Sequence, residues 1–165
     1  MLILVSGLPG SGKSYFASRL SRRLGAVYIN SDQTRKAIDR MGRYAFEDKL
    51  DVYEEMAKSA GENLRQGKNV VVDATFYRPE MQDIFFTLST LLHKQIFYIE
   101  VKADEKIIQE RLSKPRADSE AGFAVYRQLK LEYQSPGVSH LVLHSTNDNI
   151  DFMLNQGLAY IQPIP

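Results

Sequence analysis

The sequence predicts an α/β fold of three layers, in which helices cover both faces of a five-stranded parallel sheet. Short apolar runs alternate with longer stretches in which apolar residues recur every three or four positions. This alternation is typical of strands and helices that follow one another as β-α units, and such units give a parallel sheet. The 165 residues contain no internal repeat and no linker, which predicts a single domain over 1–165.

Five segments have the composition of buried strands, and the run Val70-Val71-Val72 is the clearest because β-branched side chains favour strands. The predicted strands are 2–5, 26–29, 70–72, 95–101 and 140–144. Helical spacing separates them, over 13–24, 31–41, 46–65, 79–92, 104–113, 119–133 and 149–160. Gly25 and Gly67 are expected to end helices, and Ser31 or Asp32 to cap the helix that follows the second strand.

The composition excludes several classes of protein. Lys plus Arg is 21 and Asp plus Glu is 20, a formal net charge of +1, which argues against a dedicated duplex-DNA binder. Without cysteine there is no disulfide framework, thiolate metal site or cysteine nucleophile. The apolar run at 1–5 is too short for a signal peptide, and no run approaches the roughly 20 apolar residues of a membrane helix. We therefore expect a cytoplasmic protein with no membrane partner.

The segment from Gly7 to Ser14 matches the P-loop pattern G-x-x-x-x-G-K-[ST] in full. Glycines allow backbone N–H groups to approach phosphates closely, and the following helix directs its positive end at the same anion. A chance glycine-rich turn is the alternative, but the position between a buried strand and a helix favours the P-loop. ATP and Mg²⁺ are the predicted cofactors, with Lys13 at the β- and γ-phosphates and Ser14 on Mg²⁺. The predicted nucleotide-binding residues are Gly7, Pro9, Gly10, Ser11, Gly12, Lys13, Ser14 and Tyr15.

A second magnesium ligand is expected at Asp73, which follows the buried run 70–72. The carboxyl end of such a strand lies beside the phosphate site in open parallel sheets. The alternative is that Asp73 only caps the next turn.

Asp32 and Arg35 follow the second strand and lie one helical turn apart, so they project from one face. Asp32 is a candidate base for the proton of an attacking hydroxyl, and Arg35 a candidate contact for an anionic acceptor. Alternatively, Asp32 is a helix cap and Arg35 a solvated charge. Lys36, Arg40 and Arg43 would add positive charge on this acceptor side, unless they form a solvated helix face.

Basic residues at a helix break predict a lid around 111–120, in which Arg111, Lys114 or Arg116 would neutralise charge on the transferring phosphoryl group. A solvated helix end is the alternative. The three histidines show no metal-ligand spacing and are interpreted as structural or surface residues. The segment Ser145-Thr146-Asn147 is a candidate adenine contact.

Four stretches together resemble the small P-loop kinases related to polynucleotide 5′-hydroxyl kinases, a group that includes zeta-toxin-like and chloramphenicol-phosphotransferase-like kinases. They are the P-loop 7–14, Ile29-Asn30-Ser31-Asp32-Gln33-Thr34-Arg35, residues 70–75 with Arg78-Pro79-Glu80, and Glu110-Arg111-Leu112 with Arg116 and 118–121. The resemblance implies Asp32 as general base, Arg35, Thr75 and Arg78 as acceptor contacts, and Arg111 or Arg116 as the lid arginine. It also implies the strand order of nucleoside monophosphate kinases, with 70–73 beside 2–5.

The resemblance implies transfer of the γ-phosphate of ATP to an acceptor hydroxyl, most closely the 5′-hydroxyl of a polynucleotide. Two departures bear on that acceptor: Met81 stands where the family often has another arginine, and within these 165 residues we expect no phosphatase or ligase domain. Two alternatives remain open at this point. One is a small-molecule kinase for a sugar, an antibiotic or a nucleotide sugar, and the other is an ATP-binding switch without transfer activity.

Overall fold

The computed structural model describes residues 1–114 and 122–162. Its sheet contains five strands: β1 Leu2–Ser6, β2 Val27–Asn30, β3 Val70–Asp73, β4 Ile96–Lys102 and β5 Leu141–His144. The described helices are α1 Lys13–Leu24, α2 Ser31–Ala37, α3 Phe46–Arg65, α4 Pro79–Leu91, α5 Glu105–Leu112, α6 Phe123–Glu132 and α7 Ile150–Ile161.

Each pair of neighbouring strands is parallel, and the strand order is β2-β3-β1-β4-β5. Val5 pairs with Asp73 of β3 on one side and with Ile99 of β4 on the other. The predicted α/β/α fold, five-stranded parallel sheet and strand order are therefore confirmed. Because all five strands are parallel, their carboxyl ends meet at one edge, which carries the loops after β1, β2 and β3.

The alternation of side chains along β1 divides the core into two layers. Leu2 and Leu4 pack with α3 and α4 on one face, whereas Ile3 and Val5 pack with α1 and α7 on the other. The whole of β1 is buried, which is the reason that its sequence is apolar without interruption.

Two helices differ from their predicted bounds by more than one residue. α2 ends at Ala37 rather than near 41, because Asp39 has a φ of 55° and Gly42 a φ of 72°, which a right-handed helix does not accept. α6 is described from Phe123 onward, and the predicted start at 119 lies outside the described residues. Within 1–114 and 122–162 no helix combines the length and the apolar character that crossing a membrane requires.

Candidate active site

A cleft of about 1100 Å³ opens at the carboxyl edge of the sheet, beside β2 and β3. The P-loop and α1 form one wall, the start of α2 forms a second, and side chains of α3 and α6 form a third. Among the predicted site residues, the cleft is lined by Pro9, Lys13, Ser14, Tyr15, Asp32, Arg35 and Thr75. The fold thus brings the predicted phosphate residues and the predicted acceptor residues into one continuous space.

The P-loop has the backbone conformation that its glycines allow. Gly10 and Gly12 have φ values of 80° and 90°, in the left-handed region that side chains disfavour. A Cβ atom on Gly7 would lie 2.5 Å from the carbonyl oxygen of Val101, so the loop packs closely against β4. α1 begins directly at Lys13, and its N-terminal N–H groups and positive end therefore face the loop.

Arg111 and Ser145 hold the outer side of the P-loop. Arg111 Nη1 donates to the carbonyl oxygen of Gly10 at 3.0 Å and to Ser145 Oγ at 2.9 Å, and Ser145 Oγ donates to the carbonyl oxygen of Ser11 at 2.5 Å. Arg111 also donates to the carbonyl oxygen of Thr146 and to Asn147 Oδ1. The guanidinium therefore ties the loop to the segment after β5.

The structure shows how Arg111 is held, and its role in a lid stays a prediction. Arg111 lies in the last turn of α5, and its guanidinium is engaged by four partners. It contacts all three residues of the candidate adenine segment 145–147, whose role stays a prediction. Lys114 is exposed after α5, whereas Arg116 and most of the predicted lid lie outside the described residues.

Asp73 lies at the end of β3, fully buried, and accepts two hydrogen bonds from β2. Tyr28 Oη and Asn30 Nδ2 both donate to Asp73 Oδ2 at 2.6 Å. Tyr28 and Ser14, the other predicted magnesium ligand, both line the cleft. The other carboxylate oxygen, Asp73 Oδ1, is buried and has no hydrogen-bond partner among the described residues.

These residues fit a magnesium ion. Mg²⁺ is usually bound by one or two carboxylates, several waters and the phosphates of the substrate. Asp73 Oδ1 supplies a carboxylate oxygen that is not used elsewhere in the described part of the chain, and Ser14 supplies a hydroxyl at the start of α1. Within those same ranges no three His, Cys, Asp or Glu side chains cluster as a metal site, so phosphate oxygens and waters would complete the shell.

Asn30, rather than Ser31 or Asp32, caps α2, and this corrects the predicted cap. Asn30 Oδ1 accepts hydrogen bonds from the backbone N–H groups of Asp32 at 3.0 Å and Gln33 at 3.1 Å. Its amide nitrogen meanwhile binds Asp73. One side chain therefore fixes the start of α2 relative to the Asp73 carboxylate, and Asp32 lies in the first turn of that helix, on the wall of the cleft.

Arg35 is only 7% exposed, and its guanidinium is held at the cleft. Nη1 donates to the carbonyl oxygen of Arg43 at 2.7 Å, and the guanidinium lies 4.8 Å from the centre of the Tyr44 ring. The predicted alternative of a solvated charge is therefore wrong for Arg35. The additional positive charge expected from Arg40 and Arg43 is largely compensated, because Arg43 pairs with Asp48 and Arg40 with both Asp48 and Asp51.

The two remaining predicted acceptor contacts have different positions. Thr75 lines the cleft after β3. Arg78 is not among the residues that line it: Nη2 forms an ion pair with Glu132 Oε2 of α6 at 3.0 Å, and the guanidinium lies over the Phe46 ring. The structure thus places Arg78 between α3 and α6, where it holds the third wall, and its contact with an acceptor stays a prediction.

Several cleft residues were not identified from the sequence. The third wall presents Lys49 and Tyr53, and Tyr77 lines the cleft from the loop before α4. Lys49 Nζ donates to Tyr77 Oη at 3.2 Å. The helical pattern of α3 indicated a buried stripe but not which end of it would meet the site. For β2, however, the period of two placed Tyr28 on the same face as Asn30, and that signal was available in the sequence.

A second feature that the sequence reasoning missed is the charge of α1. Its twelve residues, KSYFASRLSRRL, include four cations and no carboxylate, although the whole chain is nearly neutral. Arg19 and Arg22 line an arm of the cleft that runs along this helix away from the P-loop. The Arg19 guanidinium stacks 3.3 Å from the centre of the Tyr15 ring, and Tyr15 is 55% exposed. The arm therefore combines two cations with an exposed aromatic ring.

Comparison with protein families shows the family to which the chain belongs. The family model described as AAA domain matches residues 2–136, which include the P-loop, Asp32, Asp73 and Arg111. The chain belongs to the AAA domain family. Solved structures show the same fold for this AAA domain.

Three solved structures are similar to this chain. Two of them are kinases, and the third is a complex with ADP-AlF3. A sugar kinase from Janibacter sp. HTCC2649 has a TM-score of 0.76 and 14% identity, covering 97% of this chain and 93% of that one. The Mycobacterium tuberculosis APS kinase CysC with AMPPNP and APS has a TM-score of 0.75 and 18% identity, covering 97% and 96%. Chaetomium thermophilum Kti12 with ADP-AlF3 has a TM-score of 0.73 and 18% identity, covering 98% and 100%. At these identities the likeness concerns the fold.

Among curated proteins, the AAA domain is similar to uncharacterized proteins of mycobacteria. It is 27% identical over 123 residues to Rv2004c of Mycobacterium tuberculosis and to Mb2027c of Mycobacterium bovis, covering 67% of this chain and 25% of each relative. The chain therefore spans about a quarter of the length of these relatives.

Proposed function

We propose that this AAA domain is an ATP-dependent phosphotransferase that moves the γ-phosphate to a hydroxyl group at the 5′ end of a nucleic acid strand. One observation carries the proposal: a single cleft is lined by Lys13 and Ser14 of the P-loop and by Asp32 and Arg35 of α2. Hydrolysis alone needs only a positioned water, whereas a carboxylate and a held guanidinium opposite the P-loop suit an alcohol acceptor.

The nucleotide side supplies binding and electrostatic stabilisation. The amides of the loop, the positive end of α1 and the Lys13 ammonium would surround the β- and γ-phosphates, where negative charge accumulates during transfer. Magnesium, when bound through Ser14 and Asp73, neutralises part of the phosphate charge. The complexes of CysC with AMPPNP and of Kti12 with ADP-AlF3 support ATP or a close relative as the donor.

The acceptor side would supply the base. The acceptor oxygen forms a bond to the γ-phosphorus while the bond from that phosphorus to the β,γ-bridging oxygen breaks, and the products are ADP and a phosphate monoester. The proton of the hydroxyl passes to the Asp32 carboxylate, which the Asn30 cap holds in the first turn of α2. Arg35, held by Arg43 and Tyr44, keeps its fork of donors at the cleft for an anionic group of the acceptor.

The arm along α1 favours a nucleic acid strand over a smaller acceptor. Proteins bind single strands with cations that contact phosphates and aromatic rings that stack on bases, and Arg19, Arg22 and Tyr15 supply both in one arm. The second candidate, a small-molecule kinase, is supported by the sugar kinase and the APS kinase among the similar solved structures. The near-neutral net charge of the chain agrees with that candidate as well.

The proposal is tested by transfer of labelled γ-phosphate from ATP to 5′-hydroxyl DNA and RNA, nucleosides and sugars. An oligonucleotide that already carries a 5′-phosphate is the matched control and should not be labelled. We expect Asp32→Asn to lower transfer about 10²- to 10⁴-fold, the usual contribution of a positioned base, with nucleotide affinity unchanged. Asp39→Asn, at an exposed residue outside the cleft, should have no effect.

Removing positive charge from α1 distinguishes a nucleic acid acceptor from a small-molecule acceptor. Replacing Arg19 and Arg22 together with Gln should raise the KM for an oligonucleotide and make binding less dependent on salt, because fewer phosphates are contacted. A sugar or nucleoside that is labelled equally well by both forms would favour the small-molecule kinase. If no acceptor is labelled, and Asp32→Asn does not change nucleotide binding, only the ATP-binding switch would remain.

A further inference from the structure

We infer that Tyr28 is a positioning residue for Asp73, a predicted magnesium ligand, and fixes the direction in which that carboxylate presents its unpaired oxygen. The inference rests on the proposed function only for the presence of a nucleotide–magnesium complex, not for the acceptor. The P-loop pattern does not include Tyr28, which lies on a different strand, and its contacts alone bring it into the site.

The register of the sheet places Tyr28 beside Asp73. β2 pairs with β3 so that Asn30 lies opposite Asp73 and Tyr28 opposite Val71. Because side chains two residues apart share one face of a strand, Tyr28 and Asn30 both reach the carboxylate from the same side. Tyr28 also lines the cleft, so it stands between the core of the sheet and the space for the phosphates.

The order of protons in this group follows from its donors and acceptors. An ionised Asp73 only accepts hydrogen bonds, so Tyr28 must use its one proton in the 2.6 Å bond to Oδ2. Its oxygen then accepts from Asn30 Nδ2 at 3.2 Å. Tyr28 and Asn30 therefore hold each other as well as the carboxylate.

The same contacts set the orientation of Asp73. Oδ2 is occupied by two donors, Tyr28 and Asn30, whereas Oδ1 is buried and has no partner within residues 1–114 and 122–162. A buried acceptor without a partner is costly, and such a group usually has a water or an ion as its missing partner. The carboxylate is therefore fixed with one oxygen held by the protein and the other available for the metal or a metal-bound water.

Tyr28→Phe tests the inference because it removes the hydroxyl and keeps the ring. We expect the affinity of the ADP-bound protein for Mn²⁺, measured by electron paramagnetic resonance, to fall about tenfold, which corresponds to about 1.4 kcal/mol. The affinity for ADP without metal, measured by calorimetry, should be unchanged. Tyr160→Phe on α7, outside the cleft, is the matched control and should change neither quantity.

A double-mutant cycle with Asp73→Asn distinguishes positioning from packing. If Tyr28 acts through Asp73, the two substitutions together should weaken Mn²⁺ binding less than the product of their single effects. Two results would overturn the inference: unchanged Mn²⁺ affinity in Tyr28→Phe, or an equal loss of ADP affinity with and without metal. Either can occur while wild-type protein still transfers phosphate. If the affinity of the wild-type protein for ADP were the same with and without metal, both the metal site and the inference would be overturned.

Discussion

The two sides of the cleft are held by different kinds of contact. On the nucleotide side, hydrogen bonds from residues more than a hundred positions away in the chain fix the P-loop, as with Arg111 to Gly10 and Ser145 to Ser11. On the acceptor side, Arg35 is held by Arg43 and Tyr44, which lie within nine residues of it. The P-loop side is therefore held by contacts between residues distant in sequence, whereas the α2 side is held by contacts within a short helix and the loop that follows it.

The position in the sheet explains this difference. The P-loop follows β1, the central strand, and packs against β4, so that neighbouring elements meet it from several directions. α2 follows β2, an edge strand, and contacts mainly α3 and β2 itself. If the proposed function holds, the nucleotide binds on the constrained side and the acceptor on the side with few distant contacts.

The largest effect that would test this comparison is expected from Arg111→Ala. It leaves the Gly10 carbonyl and Ser145 without a charged donor, which should lower the free energy of unfolding by about 2–3 kcal/mol. Nucleotide affinity should fall with it, because the outer side of the loop loses its support, whereas the KM for the acceptor should not change. Urea unfolding, calorimetry with ADP and transfer kinetics measure the three quantities.

Arg23→Ala, at an exposed position on α1, is the matched control for Arg111 and should cost little stability. If Arg111→Ala changed only the KM for the acceptor, the comparison would be contradicted. Arg111 would then act in phosphoryl transfer, as the sequence predicts, rather than support the P-loop.

A smaller effect is expected from Arg35→Lys, which keeps the charge and removes the planar fork. The KM for an anionic acceptor should rise about tenfold, and the KM for ATP should remain the same. Steady-state kinetics with each substrate varied in turn measure both, and Arg23→Lys serves as the control. An equal rise in both constants would show that the two sides are not independent.

The smallest effect at physiological pH is the contribution of buried tyrosines to the pH dependence of stability. These tyrosines are not confined to one side of the cleft. Burial raises the pKa values of Tyr28, Tyr53, Tyr98 and Tyr133 in the folded protein, chiefly by desolvation. Above about pH 10 the unfolded chain therefore releases protons that the folded chain retains, and stability should fall by up to about 1.4 kcal/mol per pH unit for each tyrosine.

Urea unfolding between pH 8 and pH 11 measures this decline, with stability flat below the tyrosine range. Tyr53→Phe should make the decline less steep, because one retained proton is removed. A stability that stayed constant through that range would contradict the assignment of these hydroxyls as buried and protonated.

Much of the fold could be predicted from local pattern. The uninterrupted apolar run of β1 and the valines of β3 identified buried strands, and the P-loop motif placed Lys13 and Ser14 because its glycines impose one backbone path. The cap of α2 was assigned one or two residues too late, since Asn30, Ser31 and Asp32 are all competent caps and the choice depends on where β2 ends.

By itself, the sequence determined the alternation of elements, the phosphate loop and the carboxylates at the ends of β2 and β3, because periodicity and glycine conformation act over a few neighbouring residues. Only the tertiary structure decided that Arg111 supports the P-loop, that Arg78 pairs with Glu132 and that Tyr28 meets Asp73. Those pairings join residues 45 to 101 positions apart, and their partners are chosen by strand register and helix packing. No spacing along the chain encodes such a choice.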